Sequence, residues 1–423
     1  MTRKMKESGI VWIGKIPEDW NKSKLKNVIK FINGYAFKSG QFTDESGEKK
    51  VITISSFDSK EIIKEKLSFS NETFQNHERF LLQDKDVLFA MSGGTVGKNY
   101  FVDSVEEKYY INQRVGILRG ELIKFVYYYL NSKAFEEYAK LLSAGSAQPN
   151  ISASDIYNFT IAIPNKQHAK KIALLLDEKS KNIDEIIIET QQSIEELKKY
   201  KQSLITEAVT KGLDPNVEMK ESGIVWVQRI PAHWNVIKGK YLFNKMERPI
   251  EVEETVTAFR DGQVVQRKKR RTDGFTNSLK EIGYQGVKQG DLVIHSMDAF
   301  AGAIGISEDD GKCSPVCIIL DSENPNIYNL YFSHLMRVYS ILGYIESMAK
   351  GIRVRSTDFK YNTFANTLLL VPPLEEQREI VNYLKVKSSR IDKLIEDKTN
   401  VIDELKNYKK SLIYEYVTGK KEV

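Results

Sequence analysis

Arginine, lysine, asparagine and glutamine collect at a few places in this 423-residue chain, among glycines and other turn formers. The densest run is "QRKKRRTDG", where Arg267, Lys268, Lys269, Arg270 and Arg271 are adjacent. Five neighbouring cations repel one another unless water or phosphate compensates them, so the run reads as a loop. "KGIRVRSTD" adds Arg353 and Arg355, which face one way if the segment is a strand. In the first half, Lys38, Lys98, Arg114 and Arg119 sit beside Gly, Asn112 and Gln113, and "GSAQPNISASDI" carries Gln148 and Asn150. Lys and Arg neutralise phosphates, whereas Arg, Asn and Gln match guanine and adenine edges in the major groove. Each cluster alone also fits a solvated surface. Their occurrence in two separate parts of the chain points to DNA. We expect residues 267–271 to contact mainly backbone, and Gln148, Asn150, Arg353 and Arg355 to read bases or support the readers.

Catalytic chemistry is poorly supported. "SGGTVGKN" imitates a phosphate loop but has Ser92 in place of the leading glycine and Asn99 in place of the magnesium-binding hydroxyl. Glycines in a tight turn between strands account for it better. An adenine-methyltransferase signature would need a second proline in "NPNIY", and no His-Glu-x-x-His or Gly-x-Ser-x-Gly motif occurs. Asp86 and Asp291 begin strands at equivalent places, where a turn role suffices. Cys313 and Cys317 are the two cysteines, too few for a disulfide framework and without partners for zinc, so a buried pair in or beside a strand is expected. A formal charge of +6 permits a nucleic-acid partner without demanding one. The N-terminal stretch lacks an apolar signal core and no apolar run reaches membrane-spanning length, which predicts a soluble, cytoplasmic protein.

The elements that must position these residues are announced by repetition. "MKESGIVWIGKIPEDW" near the start recurs as "MKESGIVWVQRIPAHW" past the middle, identical at eleven of sixteen positions. "SIEELKKYKQSLITEAVTKG" recurs as "VIDELKNYKKSLIYEYVTGK" at the end. The chain is therefore two tandem units, each with a conserved head, a divergent body and a conserved tail, joined by the turn-forming "LDPNVE". In the first tail Ile183, Ile187, Thr190, Ile194, Leu197, Lys201, Leu204 and Ala208 step by fours and threes. The second repeats those steps from Ile391 to Tyr416, with Lys398 and Lys409 matching Thr190 and Lys201. That spacing is a coiled-coil seam, and the economical partner for each stripe is the other tail. The bodies read as mixed α and β, with a glycine-rich middle between strands and Tyr- and Leu-rich helices. In the heads, Trp12, Pro17 and Trp20, and their counterparts Trp226, Pro231 and Trp234, look suited to docking against a protein partner.

This arrangement resembles the specificity subunits of type I restriction-modification systems, the HsdS family. The resemblance lies in the two "SGIVW…IP..W" heads, "NGYAFKSGQF", "MSGGTVGK", "GSAQPNISASDI" and "VPPLEEQREIVNYL" with the tail that follows it. It implies an α+β protein with two globular mixed α/β target-recognition domains, separated by two long helices that form an antiparallel coiled coil in a pseudo-twofold tandem repeat. The implied boundaries are a head at residues 1–20, recognition domains at 21–162 and 235–370, helical regions at 163–212 and 371–423, and a linker with the second head at 213–234. Each domain would read one half of a bipartite, asymmetric DNA target, with the helices setting the spacer. Two methyltransferase subunits would dock on the conserved regions, and restriction subunits would complete a defence against foreign DNA. The chain itself would be non-catalytic, with S-adenosylmethionine, ATP and Mg belonging to the partners. A duplicated coiled-coil scaffold without sequence-specific DNA binding is the competing reading. The first tail opens "IPNKQHAKKI" where the second has "VPPLEEQREI", and the second body lacks a Gly-Gln-x-Asn-Ile-like loop, so loop roles do not transfer between halves.

Overall fold

The computed structural model describes residues 3–38, 40, 42–43, 47–143, 150–270, 282–348 and 359–423. Its contacts divide the chain into two units, residues 1–191 with 399–423 and residues 192–398. The divisions fall inside two long helices, Lys166–Lys211 and Leu374–Val417, so each unit holds one body and part of each helix. At 1.5 Å per residue each helix is roughly 65–70 Å long. Asn165 starts the first by accepting from the His168 N–H at 2.9 Å, and Gly212, at φ +78°, follows its last residue in the left-handed conformation that suits a helix end.

In the first unit the head is a hairpin, Met5–Glu7 against Lys15–Pro17. Asn21–Lys24 pairs antiparallel with Thr160–Ile163, which closes the body at its two chain ends. Between them lies an antiparallel four-stranded sheet, in the order Lys30–Asn33, Val115–Arg119, Val87–Ala90, Asn99–Phe101. A second sheet runs Tyr109–Ile111, Lys49–Ile52, Ser68–Ser70, Phe42–Thr43, and its first pair is parallel. Val87–Ala90 is buried at all four positions, as an apolar run inside a sheet requires. The Tyr-rich segment forms the helix Ile123–Leu130, which buries Phe125, Val126 and Tyr129.

The second unit repeats this plan. Its head pairs Met219–Ile224 with Val227–Pro231, and Asn235–Lys238 closes the body against Leu368–Val371. The main sheet runs Asn244–Lys245, Cys317–Asp321, Leu292–His295, Ile304–Ile306. Asn329–Ile341 covers it, burying Tyr331, Phe332, Leu335, Met336 and Tyr339. Cys313 ends one strand and Cys317 opens another, both buried.

The tails pack on each other within each unit. In the first, seam residues Ile183, Ile187 and Leu412 are buried and Lys409 Nζ meets Asp184 at 2.6 Å. In the second, Ile194, Leu204 and Ile391 are buried and Lys201 Nζ meets Asp392 at 2.6 Å. Each lysine is a polar seam position, and the two aspartates are equivalent residues of the two tails. Two of the four polar interruptions of the seam are thus answered from the facing helix, which disfavours any slipped register, while Thr190 donates to the Ile186 carbonyl of its own helix at 2.7 Å. The direction is antiparallel in each unit: in the second, Gly212 lies beside Glu376 while Lys201 lies beside Asp392. Among the described residues no helix is long and apolar enough to cross a membrane.

Candidate nucleic-acid interface

In the first body three segments distant in sequence meet at one corner of the main sheet. Val87–Ala90 runs out at Met91, whose N–H bonds the Arg114 carbonyl at 3.0 Å and whose carbonyl accepts from the Ile151 N–H at 2.8 Å. This brings Asn112, Gln113 and Arg114 beside Asn150, which bridges to Ser92. Gln113, Arg114 and Asn150 are exposed. Asn112 is half-buried and its Oδ1 accepts from the Gln113 N–H at 2.7 Å, so it shapes the turn that presents its two neighbours. "SGGTVGKN" is the turn between Val87–Ala90 and Asn99–Phe101, with Gly93 at φ +80° and Gly97 at φ +84°. Lys98, half-buried, accepts from the Ala90 N–H within it.

Lys38 is exposed beyond "NGYAF". That segment crosses Asn112 closely enough that a Cβ on Gly34 would stand 2.0 Å from the Asn112 carbonyl oxygen, so only glycine fits. The Lys38 N–H and the Tyr35 hydroxyl both bond the buried Glu72, at 2.9 and 3.2 Å. Burial, then the Glu72 charge, raises the Tyr35 pKa. Arg119 corrects the sequence reading. Its Nε and Nη2 each hold the wholly buried Asp86 at 2.7 Å, and Asp86 accepts from the Gln83 N–H, so this arginine is part of the body's frame. Gln148 lies outside the described residues.

The second body repeats the corner. The Ser296 N–H bonds the Val316 carbonyl at 2.9 Å, and the Phe359 N–H bonds Ser296 at 3.3 Å, as Met91 is bonded in the first body. Pro315 and Val316 stand where Gln113 and Arg114 stand, so the same backbone carries different chemistry. Arg353, Arg355 and Arg271 lie outside the described residues.

The rest of the basic run departs from the expected phosphate-facing loop. It follows the strand Val264–Gln266 as a tight helical turn, Arg267–Lys269. Arg267 Nε donates to Thr257 at 2.9 Å, Lys268 meets Glu254 at 2.6 Å, and Lys269 meets Asp309. Arg270 grips Asp261 with both Nη atoms, at 2.8 and 2.5 Å, and lies over Phe259. The hydrogen bonds from Arg270 and Lys269 lower the Asp261 and Asp309 pKa values respectively. Lys268, Lys269 and Arg270 of the run are therefore each paired with a carboxylate of the chain, while their side chains stay partly exposed.

The heads bring a second correction. Trp20 and Trp234 are 0% exposed, and Pro17 and Pro231 are buried, so none of the four presents a surface to a partner. Trp20 meets Phe125 and His168 edge-on, and a Cβ on Gly419 would stand 2.6 Å from the Pro17 ring. Trp234 meets Tyr331 edge-on and donates from Nε1 to Glu376 at 2.9 Å. The apolar surface that looked intended for a partner is covered by the chain's own tails. Trp12 is half-buried against Tyr138 and Phe159. Val11 at 93%, Val225 at 84% and Trp226 at 44% exposure remain on the hairpin tips. Among the described residues no group of three or more His, Cys, Asp or Glu could hold a metal.

Two unlike bodies thus stand on one repeated frame, each with a pair of packed helices. Residues 17–199 match the family described as the type I restriction modification DNA specificity domain. The chain is 24% identical over 235 residues to the type I restriction enzyme MjaVIII specificity subunit of Methanocaldococcus jannaschii, covering 53% of this chain and 49% of that one. It therefore spans about half the length of that relative. To the putative MjaX specificity subunit of the same organism it is 24% identical over 430 residues, covering 96% and 95%. A solved chain from a study of type I R-M complex assembly and conformational transition superposes with a TM-score of 0.69 at 14% identity, covering 96% of this chain and 99% of that one. The HsdS subunit of Thermoanaerobacter tengcongensis gives 0.52 at 15% identity, covering 96% and 98%. The chain is thus similar to type I specificity subunits in sequence and in fold.

Proposed function

We propose that this chain selects DNA for a type I restriction-modification complex, each body binding one half of a bipartite, asymmetric target while the paired helices act as the spacer. The observation that carries this reading is the repeated corner. An identical backbone pattern presents Gln113, Arg114 and Asn150 in one body and a different set in the other, as two unlike half-sites require. Exposed polar turns supply contacts to bases and phosphates, and the chain contributes recognition, not bond chemistry.

Two methyltransferase subunits are the partners for the surfaces that the tails leave open. Ile186 and Leu394 are equivalent positions of the two tails, as are Tyr200 and Tyr408, and all four are exposed outside the seam. With the hairpin tips carrying Val11 and Val225, they offer each partner a similar apolar seat. Restriction subunits join that assembly, and S-adenosylmethionine, ATP and Mg are bound by the partners. Selection from a random double-stranded DNA library, with a methyltransferase subunit present, tests the reading. It predicts an enriched motif of two defined halves around an undefined spacer. Failure to enrich any such motif would favour a scaffold without sequence-specific binding.

A further inference from the structure

The second body cannot read DNA with the side chains of the first, because Pro315 and Val316 replace Gln113 and Arg114. Next to those residues lies an open cleft of about 700 Å3, whose lining includes Lys245, Arg248, Gln285, Lys360 and Asn362. Within it Arg248 holds Asp291 at 2.5 Å and Lys245 meets Glu247 at 2.6 Å. Gln285 is half-buried, and its Nε2 donates to the Cys317 carbonyl at 3.3 Å. That bond orients the amide and uses one of its two protons, and an amide carries a second donor proton and an acceptor oxygen besides. Lys360 and Asn362 are exposed, next to Phe359, whose N–H closes the corner.

A carboxamide offers a donor beside an acceptor, the pattern that matches adenine N7 and N6. We propose that Gln285 and Asn362 read adenine-bearing positions in the half-site of the second body, with Lys360 on a neighbouring phosphate, and that the basic run at residues 267–270 does not read bases. This rests on the chain being a DNA-specificity subunit, and it assigns that role to residues with no charge cluster or motif to mark them.

The test is selection from a randomised double-stranded DNA library by the full chain with its methyltransferase partner. Gln285→Ala and Asn362→Ala should each lower adenine preference at a position of one half-site by about 10-fold or more, leaving the other half intact. The intact half reports a folded complex, and Asn362, being exposed, is the safer substitution. Lys360→Ala should weaken binding alike on all sequences and reduce the salt slope by about one. A joint Lys268→Gln, Lys269→Gln and Arg270→Gln variant should leave the base preference of both halves unchanged. Retention of full preference by both amide variants, or its loss in the joint variant, would overturn the proposal. If the unaltered chain selects no bipartite motif, the reading of the chain as a specificity subunit fails before this assignment is reached.

Discussion

Trp20 and Trp234 occupy equivalent places under the two tails, yet only one has its hydrogen bond. Trp234 donates to Glu376. The Trp20 indole N–H is buried with no partner among the described residues, and the residue equivalent to Glu376 is His168. Burial and then the Arg3 charge lower the His168 pKa, so the ring is neutral at pH 7 and meets Trp20 edge-on at 5.9 Å. A buried donor left unpaired costs about 1–3 kcal/mol. His168→Glu places a carboxylate where the indole N–H needs one, and Arg3, 5.6 Å from the Trp20 ring centre, compensates its charge. Part of the gain is spent on desolvating that carboxylate, so the net stabilisation expected is about 1–2 kcal/mol. For a body of about 200 residues that raises Tm by roughly 2–8 °C. Differential scanning calorimetry of the full chain should show this rise, and Glu376→His should lower Tm by a similar amount. An unchanged or lowered Tm for His168→Glu, with Glu376→His harmless, would refute the reasoning.

Further consequences follow from the same packing. Gly419→Ala forces a Cβ against Pro17 at φ +72° and should cost about 1 kcal/mol or more, read by chemical denaturation. Arg119→Met leaves Asp86 buried without its cation and should cost about 3 kcal/mol in the same assay. Burial, then Arg337 and Lys201, lowers the His334 pKa to about 4. The unfolded chain takes up this proton near pH 6.5, so the stability tied to a neutral His334 is complete above that pH and is lost as the pH falls toward 4. Between pH 7 and 4.5 the loss should be about 2 kcal/mol, and His334→Leu should remove that part of the pH dependence in urea titrations.

The duplication, the seam and the strand pattern of the bodies were legible because each is a local periodicity. What joins them was not. Lys201 and Lys409 could be recognised as polar interruptions, but their aspartates lie some two hundred residues away and are reached only once the helices run antiparallel. Trp20 and Trp234 were legible as docking groups, but nothing local shows that the chain itself buries them. The carboxylates that pair with the basic run, Glu254, Asp261 and Asp309, were hidden for a related reason, since only folding brings them to it. Gln113, Arg114 and Asn150 were singled out by residue type, and the fold gathers them at one corner. Gln285 and Asn362 went unnoticed because two isolated amides carry no pattern.

The central claim is that this chain chooses the DNA sequence on which a type I complex acts. Mapping methylated adenines across the genome of cells with and without the gene tests it most directly. The account predicts a single bipartite motif, methylated on both strands, that disappears when the gene is removed. Methylation that persists unchanged without the gene, or the absence of any bipartite motif with it, would contradict the account.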